Sequence, residues 1–431
     1  MRIQDLNGKN ICVLGYGREG SAMVAALETY APKAEITIAD KNEATKPAND
    51  KHWLQIGSGW LHNLEKFDVI IKSPGIPPSA FTPDASIKDR VTNSTQIFLD
   101  TIADRKAICI GVTGSKGKST TSSLITAILT SAGMQPLLLG NIGEPAIAHL
   151  KEIEEGRHIV LEMSSYQLAD LTVSPLIAVI TSLFPEHLDY HGDFETYTAA
   201  KTNIARFQEK GAAIFYNKLS PGLKQIAKLS KGKKVGFSWE DTPIRIEETK
   251  LLGMHNLSNM AASFKVGLYL KIPKQMMLNV FREFKGLPHR LEFIGTHGGI
   301  EWVDDAISTT PESTIAALEA LGDRVTTIIV GGQDRGNDFS ELGRKLVISK
   351  VDHVILFPES GERIRQAIME HDQRMSFHTA ITMDDAVRIA REVTPLSKIC
   401  LLSTASPSYN MFKNFEEKGD QFKKCIGIEA K

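Results

Sequence analysis

Twice within the first 120 residues an apolar run breaks at a glycine-rich turn and resumes as a helical pattern. The first is ICVLGYGREGSAMVAALE; the second is AICIGVTGSKGKSTTSSLITAIL. A strand that feeds a helix through so short a turn belongs to α/β layers. The first turn, Gly15-Tyr16-Gly17-Arg18-Glu19-Gly20, is a GxGxxG, and the next strand, AEITIAD, ends on Asp40. A third strand, FDVIIKSPGIPPS, ends in a Pro/Gly turn. Strand, glycine turn, helix and a strand ending in an acid make a Rossmann-like unit that suits a nucleotide-type ligand. A ligand-free tight turn and an NAD(P)-dependent dehydrogenase are the alternatives. A separate phosphate loop in the next block argues against the dehydrogenase.

That second turn, Gly111-Val-Thr-Gly114-Ser115-Lys116-Gly117-Lys118-Ser119-Thr120, lies after a strand and opens a helix. Its glycines let backbone N–H groups close on phosphate oxygens at a helix N-terminus. Lys118 would bridge the β- and γ-phosphates and Ser119 would hold Mg²⁺. Val112 stands where the strict GxxxxGK[ST] pattern has its first glycine. Glu162 ends the strand of HIVLEMSS, a position suited to a Mg²⁺ ligand or to a solvated acid.

The length, 431 residues, allows roughly two to four domains at ~100–200 residues each. A third block of strands follows from GLPHRLEF, in IEWVDDA, VTTIIVGGQ, HVILF and SKICLLS, with helices between. The expected divisions are 1–105, 106–287 and 288–431. The formal net charge of −1 excludes a globally basic binder, so no nucleic acid or anionic membrane is expected as partner. Cys12, Cys109 and Cys400 lie in apolar runs and there is no CxxC. The N-terminus is polar, and no apolar run approaches the ~18–20 residues of a membrane span. A reduced, soluble, cytoplasmic protein is expected.

Lys201 is the least ordinary residue. Phe194, Tyr197, Ile204 and Phe207 mark a helical apolar stripe, and Lys201 falls on it, four residues after Tyr197. A lysine there either snorkels or is functional. Burial lowers its pKa, and a neutral amine can take up CO₂ to form an anionic carbamate. His187, before that helix, is either a metal ligand or structural. In GMHNLSNMAAS, Asn256 and Asn259 share one helix face; Asn256 suits an N-cap, or an asparagine there faces ATP. In the third block, Asp304-Asp305, the Arg335 turn of GGQDRGNDF and the Ser-rich STASPSYN follow strands and could converge on a small anion.

Taken in order, LGYGREG, SPGI, GVTGSKGKST, GNIG, LEMSSYQL, EHLDYHG…AAK, HNLSNMAA, GLPHRLEF, DDAISTTPEST, GGQDRGNDF and FKNFEEKGDQF resemble the Mur ligase family over nearly the whole chain. The likeness is greatest to members that add D-glutamate to UDP-N-acetylmuramoyl-L-alanine in peptidoglycan precursor synthesis. It implies a Rossmann-like N-terminal domain for the UDP substrate and a central phosphate-loop ATPase-type domain with a mainly parallel sheet. A C-terminal Rossmann-like α/β domain would take the amino acid.

The resemblance implies UDP-substrate contacts from Gly15, Tyr16, Gly17, Arg18, Asp40, Lys41, Ser73, Pro74, Gly75, Asn141 and Ser164. It implies ATP contacts from Gly114, Ser115, Lys116, Gly117, Lys118, Ser119, Thr120, Asn259, Arg290 and Asp305. Thr309, Arg335, Ser408, Tyr409 and Phe415 would shape the D-glutamate site. Ser119 and Glu162 would hold one Mg²⁺, and His187 with an N6-carboxylated Lys201 a second, Mn²⁺ being able to replace Mg²⁺. Lys118, His187 and Lys201 are the implied catalytic residues. Ile307 stands where many relatives carry lysine, and Arg335 where lysine is common. The expected product route is an acyl phosphate with release of ADP and phosphate, carried out by a monomer. Another Mur or folylpolyglutamate-type amino-acid ligase and a nucleotide-hydrolysing switch or nucleotide sensor are the alternatives.

Overall fold

A computed structural model describes residues 1–141, 144–372 and 374–428. The chain forms two compact units: Met1–Ile244 with Leu257–Phe281, and Arg245–Asn256 with Arg282–Lys431. Among the described residues no helix is long and apolar enough to cross a membrane.

The first unit holds two sheets. In the first, β1 (Asn10–Leu14), β2 (Glu35–Asp40), β3 (Trp53–Ile56), β4 (Val69–Lys72) and β5 (Val91–Thr92) lie in the order β3-β2-β1-β4-β5, all pairs parallel. In the second, β6 (Ile108–Thr113), β7 (Leu137–Gly140), β8 (His158–Glu162), β9 (Ile177–Ile180), β10 (Ala213–Asn217) and β11 (Lys233–Phe237) lie in the order β11-β10-β9-β6-β8-β7, again all parallel. Parallel strands are covered on both faces and so read as continuous apolar runs. ICVL and ICIGVT do so, and nearly all of their residues are buried. One apolar cluster runs through both sheets and includes Val13, Phe98, Ile147 and Leu161. Each fully buried side chain of this size contributes about 1.5–3 kcal/mol.

The second unit holds β12 (Glu292–His297), β13 (Ile300–Asp304), β14 (Val325–Gly332), β15 (His353–Glu359), β16 (Ser376–Thr379) and β17 (Ile399–Leu402). Their order is β12-β13-β17-β14-β15-β16, and β12 alone pairs antiparallel. Cores on the two faces centre on Val330 and on Trp302. The expected α/β class with mainly parallel sheets holds for both units.

Local readings differ in places. Strands β3, β5, β7, β10, β12 and β16 were not read from the sequence. All but β10 are edge strands, short or partly exposed, with Trp53 73% accessible, so no long buried run marks them; β10 lies inside its sheet, with Ala213, Ile214 and Phe215 buried. Asn256 is not an N-cap: it lies inside the helix His255–Tyr269, and its amide donates to Leu252 O at 2.8 Å. Phe194 leaves the apolar stripe, being 39% accessible at the first turn of the helix Phe194–Arg206. Cys12, Cys109 and Cys400 are buried, as expected.

Candidate active site

The phosphate loop is built by sterics. Gly114 has φ +155°, and a Cβ there would lie 1.9 Å from Thr181 Oγ1. Gly117 has φ +86°, and a Cβ there would lie 2.4 Å from Asn259 Oδ1. Only glycine fits either position, so the loop closes tightly between β6 and the helix Lys118–Ser131. Thr181 Oγ1 fastens it by donating to Lys116 O at 2.5 Å. The Ser115 hydroxyl is buried between Phe184 and Tyr197 OH, so this side chain anchors the loop. Lys116 is exposed and pairs with Glu186 at 2.6 Å. Ser119 and Thr120 occupy the first helical turn, Thr120 buried and Ser119 partly accessible. Asn259 lies against the loop, its Oδ1 accepting from Thr121 Oγ1 at 3.3 Å.

Two lysine side-chain nitrogens meet on one carbonyl. Lys118 Nζ donates to Gly114 O and Ser115 O, each at 2.9 Å. Lys201 Nζ donates to the same Gly114 O at 3.0 Å and to Thr113 Oγ1 at 3.2 Å. Lys201 is 1% accessible, and its ammonium lies 4.9 Å from the centre of the Tyr197 ring. Burial, then the charge of Lys118, holds its amine well below the usual lysine range. The neutral, nucleophilic form is thereby favoured.

Glu162 lies beside this loop because β8 pairs with β6, Val112 opposite Glu162. It is 1% accessible. One carboxylate oxygen accepts from Asn141 Nδ2 at 3.0 Å; the other is buried without a hydrogen-bond partner. Burying such an oxygen unsatisfied is costly, and a divalent cation would satisfy it. Asn141, expected to face the sugar substrate, is thus joined to the acid. Its neighbours Ile142 and Gly143 lie outside the described residues. His187 has left-handed backbone, φ +56°, and its ring lies 5.1 Å from that of Tyr166. Partial burial, with Lys118 and Lys201 opposing Glu186, holds its imidazole below the usual range. The neutral form is the one that binds metals.

The first glycine turn is also sterically fixed. A Cβ on Gly20 would come within 1.9 Å of Gly15 O, and Gly15 itself has φ +87°. The Asp40 carboxylate accepts from Tyr16 N at 2.6 Å and Asn42 N at 2.8 Å, so it braces the turn. Ser73 Oγ donates to Gly15 O at 2.8 Å, bringing the SPGI turn against it. Pro74 is buried, while Gly17, Arg18, Lys41 and Gly75 are exposed. Ser164 caps the short helix Ser165–Leu168 together with Gln167, and Gln167 Nε2 reaches Glu19 at 3.0 Å. Sequence reasoning missed Tyr190, whose buried hydroxyl is shared between Pro74 O at 2.8 Å and Ile76 O at 3.0 Å. Its place in HLDYHG beside His187 was the available signal.

In the second unit, Asp305 is buried and accepts from Leu291 N at 3.1 Å and Ser403 Oγ at 2.8 Å. Burial pushes its carboxyl up to about 6 against these hydrogen bonds and Arg290. Arg290 Nε is buried without a partner. The turns after β14 and β17 are joined by Gln333 N donating to Pro407 O at 2.7 Å. They bring Arg335 within 5.4 Å of the exposed Tyr409 ring, with buried Ser408 alongside. Thr309 is partly accessible and follows Ser308, whose carbonyl accepts from Thr404 Oγ1 at 3.3 Å. Phe415 opens the helix Phe415–Ile426, its ring 6.1 Å from that of His289.

Residues 112–247 match the family described as Mur ligase middle domain. Residues 289–405 match the one described as Mur ligase, glutamate ligase domain. The UDP-N-acetylmuramoyl-L-alanine–L-glutamate ligase of Salinispora tropica is 34% identical, covering 99% of each chain. The UDP-N-acetylmuramoylalanine–D-glutamate ligase of Streptococcus agalactiae is 32% identical, covering 97% of each. The structure of MurF ligase from Thermotoga maritima in complex with ADP shares the fold at a TM-score of 0.59 and 16% identity. It covers 99% of this chain and 96% of that one. Phosphate loop, strand-end acid and full-length relatives agree: this chain is a ligase belonging to the Mur ligase family.

Proposed function

We propose that the enzyme uses ATP to join glutamate to UDP-N-acetylmuramoyl-L-alanine, a step of peptidoglycan precursor synthesis. The observation that carries the chemistry is the convergence of Lys118 Nζ and Lys201 Nζ on Gly114 O, with the unpartnered Glu162 oxygen on the strand paired to β6. That arrangement suits a polyphosphate with its cation. The substrate carboxylate would attack the γ-phosphorus of ATP; the bond to the ADP oxygen breaks and an acyl phosphate forms. The glutamate amine, having lost its proton, then attacks the acyl carbon; the bond to phosphate breaks and the amide forms. Lys118 would hold the transferring phosphate oxygens, and the closed glycine loop would fix them in line. Neither step needs a covalent enzyme nucleophile.

Glu162 and Ser119 fit one Mg²⁺, and neutral His187 with a carbamate on Lys201 fits a second. Bound there, Mg²⁺ would neutralise charge on the phosphate oxygens. The roles proposed for the residue ranges 1–105, 106–287 and 288–431 are UDP-substrate, ATP and amino-acid binding. The reaction would take place in the cytoplasm, in a monomer.

Relatives named for each enantiomer of glutamate match this chain over its full length. D-Glutamate is the reading of the FKNFEEKG region; L-glutamate is the second reading, favoured by the 34% identity to the Salinispora tropica enzyme. ADP release measured with UDP-N-acetylmuramoyl-L-alanine and a panel of D-glutamate, L-glutamate, L-alanine and diamino acids decides it. Release should require both the UDP-sugar and one glutamate enantiomer. Equal release without any amino acid overturns the ligase reaction proposed here.

A further inference from the structure

Lys418 is 1% accessible, yet its ammonium forms no ion pair among the described residues. It lies in the first turns of the helix Phe415–Ile426, whose N-terminal end carries partial positive charge of its own. Its two hydrogen-bond acceptors are hydroxyls: Thr404 Oγ1 at 2.6 Å and Ser408 Oγ at 3.0 Å. The nearby acids are occupied. Asp304 accepts from His289 Nδ1 at 2.7 Å and Ala306 N at 2.9 Å. Asp305 accepts from Leu291 N and Ser403 Oγ. A buried ammonium hydrogen-bonded to hydroxyls alone is costly, and only the unbonded charges of Asp304 and Asp305 offset it.

Ser408 supplies the route to an anionic ligand. Its oxygen accepts from Lys418, and its own hydrogen has no acceptor among the described residues. It lies in the turn that Pro407 O ties to Gln333, beside Tyr409 and Arg335. Gly332 keeps this approach open: a Cβ there would lie 2.9 Å from Ser408 Oγ. A hydroxyl that accepts from a cation is a stronger donor, since linked hydrogen bonds polarise one another.

We propose that Lys418 is a positioning residue for the amino-acid substrate: it holds and polarises the Ser408 hydroxyl so that its hydrogen is donated to a carboxylate of the incoming glutamate. Arg335, exposed on the neighbouring turn, would take the second carboxylate. Thr404, which donates to Ser406 O at 2.9 Å, holds the other side of the ammonium. Burial lowers Lys418 to about 8, opposed by Asp304 and Asp305, so it remains mostly charged near neutral pH. This inference rests on the glutamate reading above.

Steady-state kinetics of Lys418→Met, Ser408→Ala and the double variant test it. Lys418→Met should raise KM for glutamate by about tenfold, the loss of one charge-assisted hydrogen-bond relay. KM for ATP and for the UDP-sugar should stay within about twofold. If Lys418 acts through Ser408, the double variant should be no worse than Ser408→Ala alone. Lys418→Gln, which keeps a polar head without the charge, gives the same reading should the methionine variant not fold. An unchanged KM for glutamate, or fully additive losses, overturns the role of Lys418. A wild-type enzyme without glutamate-dependent ADP release overturns the functional reading instead, and this inference with it.

Discussion

Among the described residues Lys72, Lys201, Lys418 and Lys423 are buried; Lys72 and Lys423 are ion-paired, whereas Lys201 and Lys418 form no ion pair and both lie on apolar helical stripes. Lys201 shares its stripe with Tyr197 and Ile204; Lys418 shares one with Phe422 and Ile426, all buried. The spacing that marks Lys201 in the sequence marks Lys418 equally. For Lys201 the expected outcome of Lys201→Ala is a loss of turnover of about 100-fold or more, with the circular dichroism spectrum unchanged. A short carboxylate such as formate should restore part of the rate, by standing in for the proposed carbamate. Full activity in the variant would remove Lys201 from the mechanism. Asp305 offers a test by pH. Its carboxyl is raised to about 6 in the folded state against an unfolded value of ~3.9. The stabilising contribution of its protonated form is therefore full below ~3.9 and lost as pH rises through about 6. Asp305→Asn removes that titration, so its melting temperature relative to wild type should be higher at pH 7.5 than at pH 5. The penalty avoided is at most about 3 kcal/mol, at ~1.4 kcal/mol per pH unit. The same difference at both pH values would contradict a buried, titrating Asp305.

Among the elements, the turns were legible because they are local. Gly15, Gly20, Gly114 and Gly117 must be glycine for reasons of backbone angle or close approach; Gly15, Gly114 and Gly117 sit between a strand and the helix it feeds, and Gly20 lies in the first turn of the helix Arg18–Tyr30. Gly20→Ala drives a Cβ to within 1.9 Å of Gly15 O, so a loss of about 3 kcal/mol or more is expected. Gly17, with φ −74° and open space where a methyl group would lie, is the control. Gly17→Ala should stay within about 1 kcal/mol of wild type in urea unfolding. Equal losses at the two positions would show that helix entropy rather than the contact decides. The edge strands were not legible, for the complementary reason. Strands β3 and β16 are paired on one side and partly exposed, so their registers depend on β2 and β15 rather than on their own apolar pattern. Likewise Glu162 was recognisable as a strand-end acid, but its unpartnered oxygen follows from the pairing of β8 with β6.

Across the molecule, each compact unit has its own sheets and its own apolar cores. Calorimetry should therefore resolve two thermal transitions. UDP-N-acetylmuramoyl-L-alanine alone should raise the transition of the first unit and leave the other in place. At a concentration of about 100 times Kd, ligand linkage stabilises by about 2.7 kcal/mol. A single transition that shifts as one would show that the units unfold cooperatively. The near-zero net charge sets no long-range field for these anionic substrates. In the proposed reaction, recognition would fall to local groups: Lys118, Arg335 and the glycine loop.

The α/β class, the two glycine turns, the phosphate loop and the acid that ends β8 are written in the chain itself. These are short-range features, set by backbone angles and apolar spacing within about 20 residues. Which charges lie dry was settled only by the folded arrangement. Lys118 and Lys201, far apart in the chain, share one carbonyl, and buried Asp305 accepts from Ser403, 98 residues away. An apolar stripe marks a lysine as a candidate for burial, but which groups share its dry site depends on partners distant in the chain.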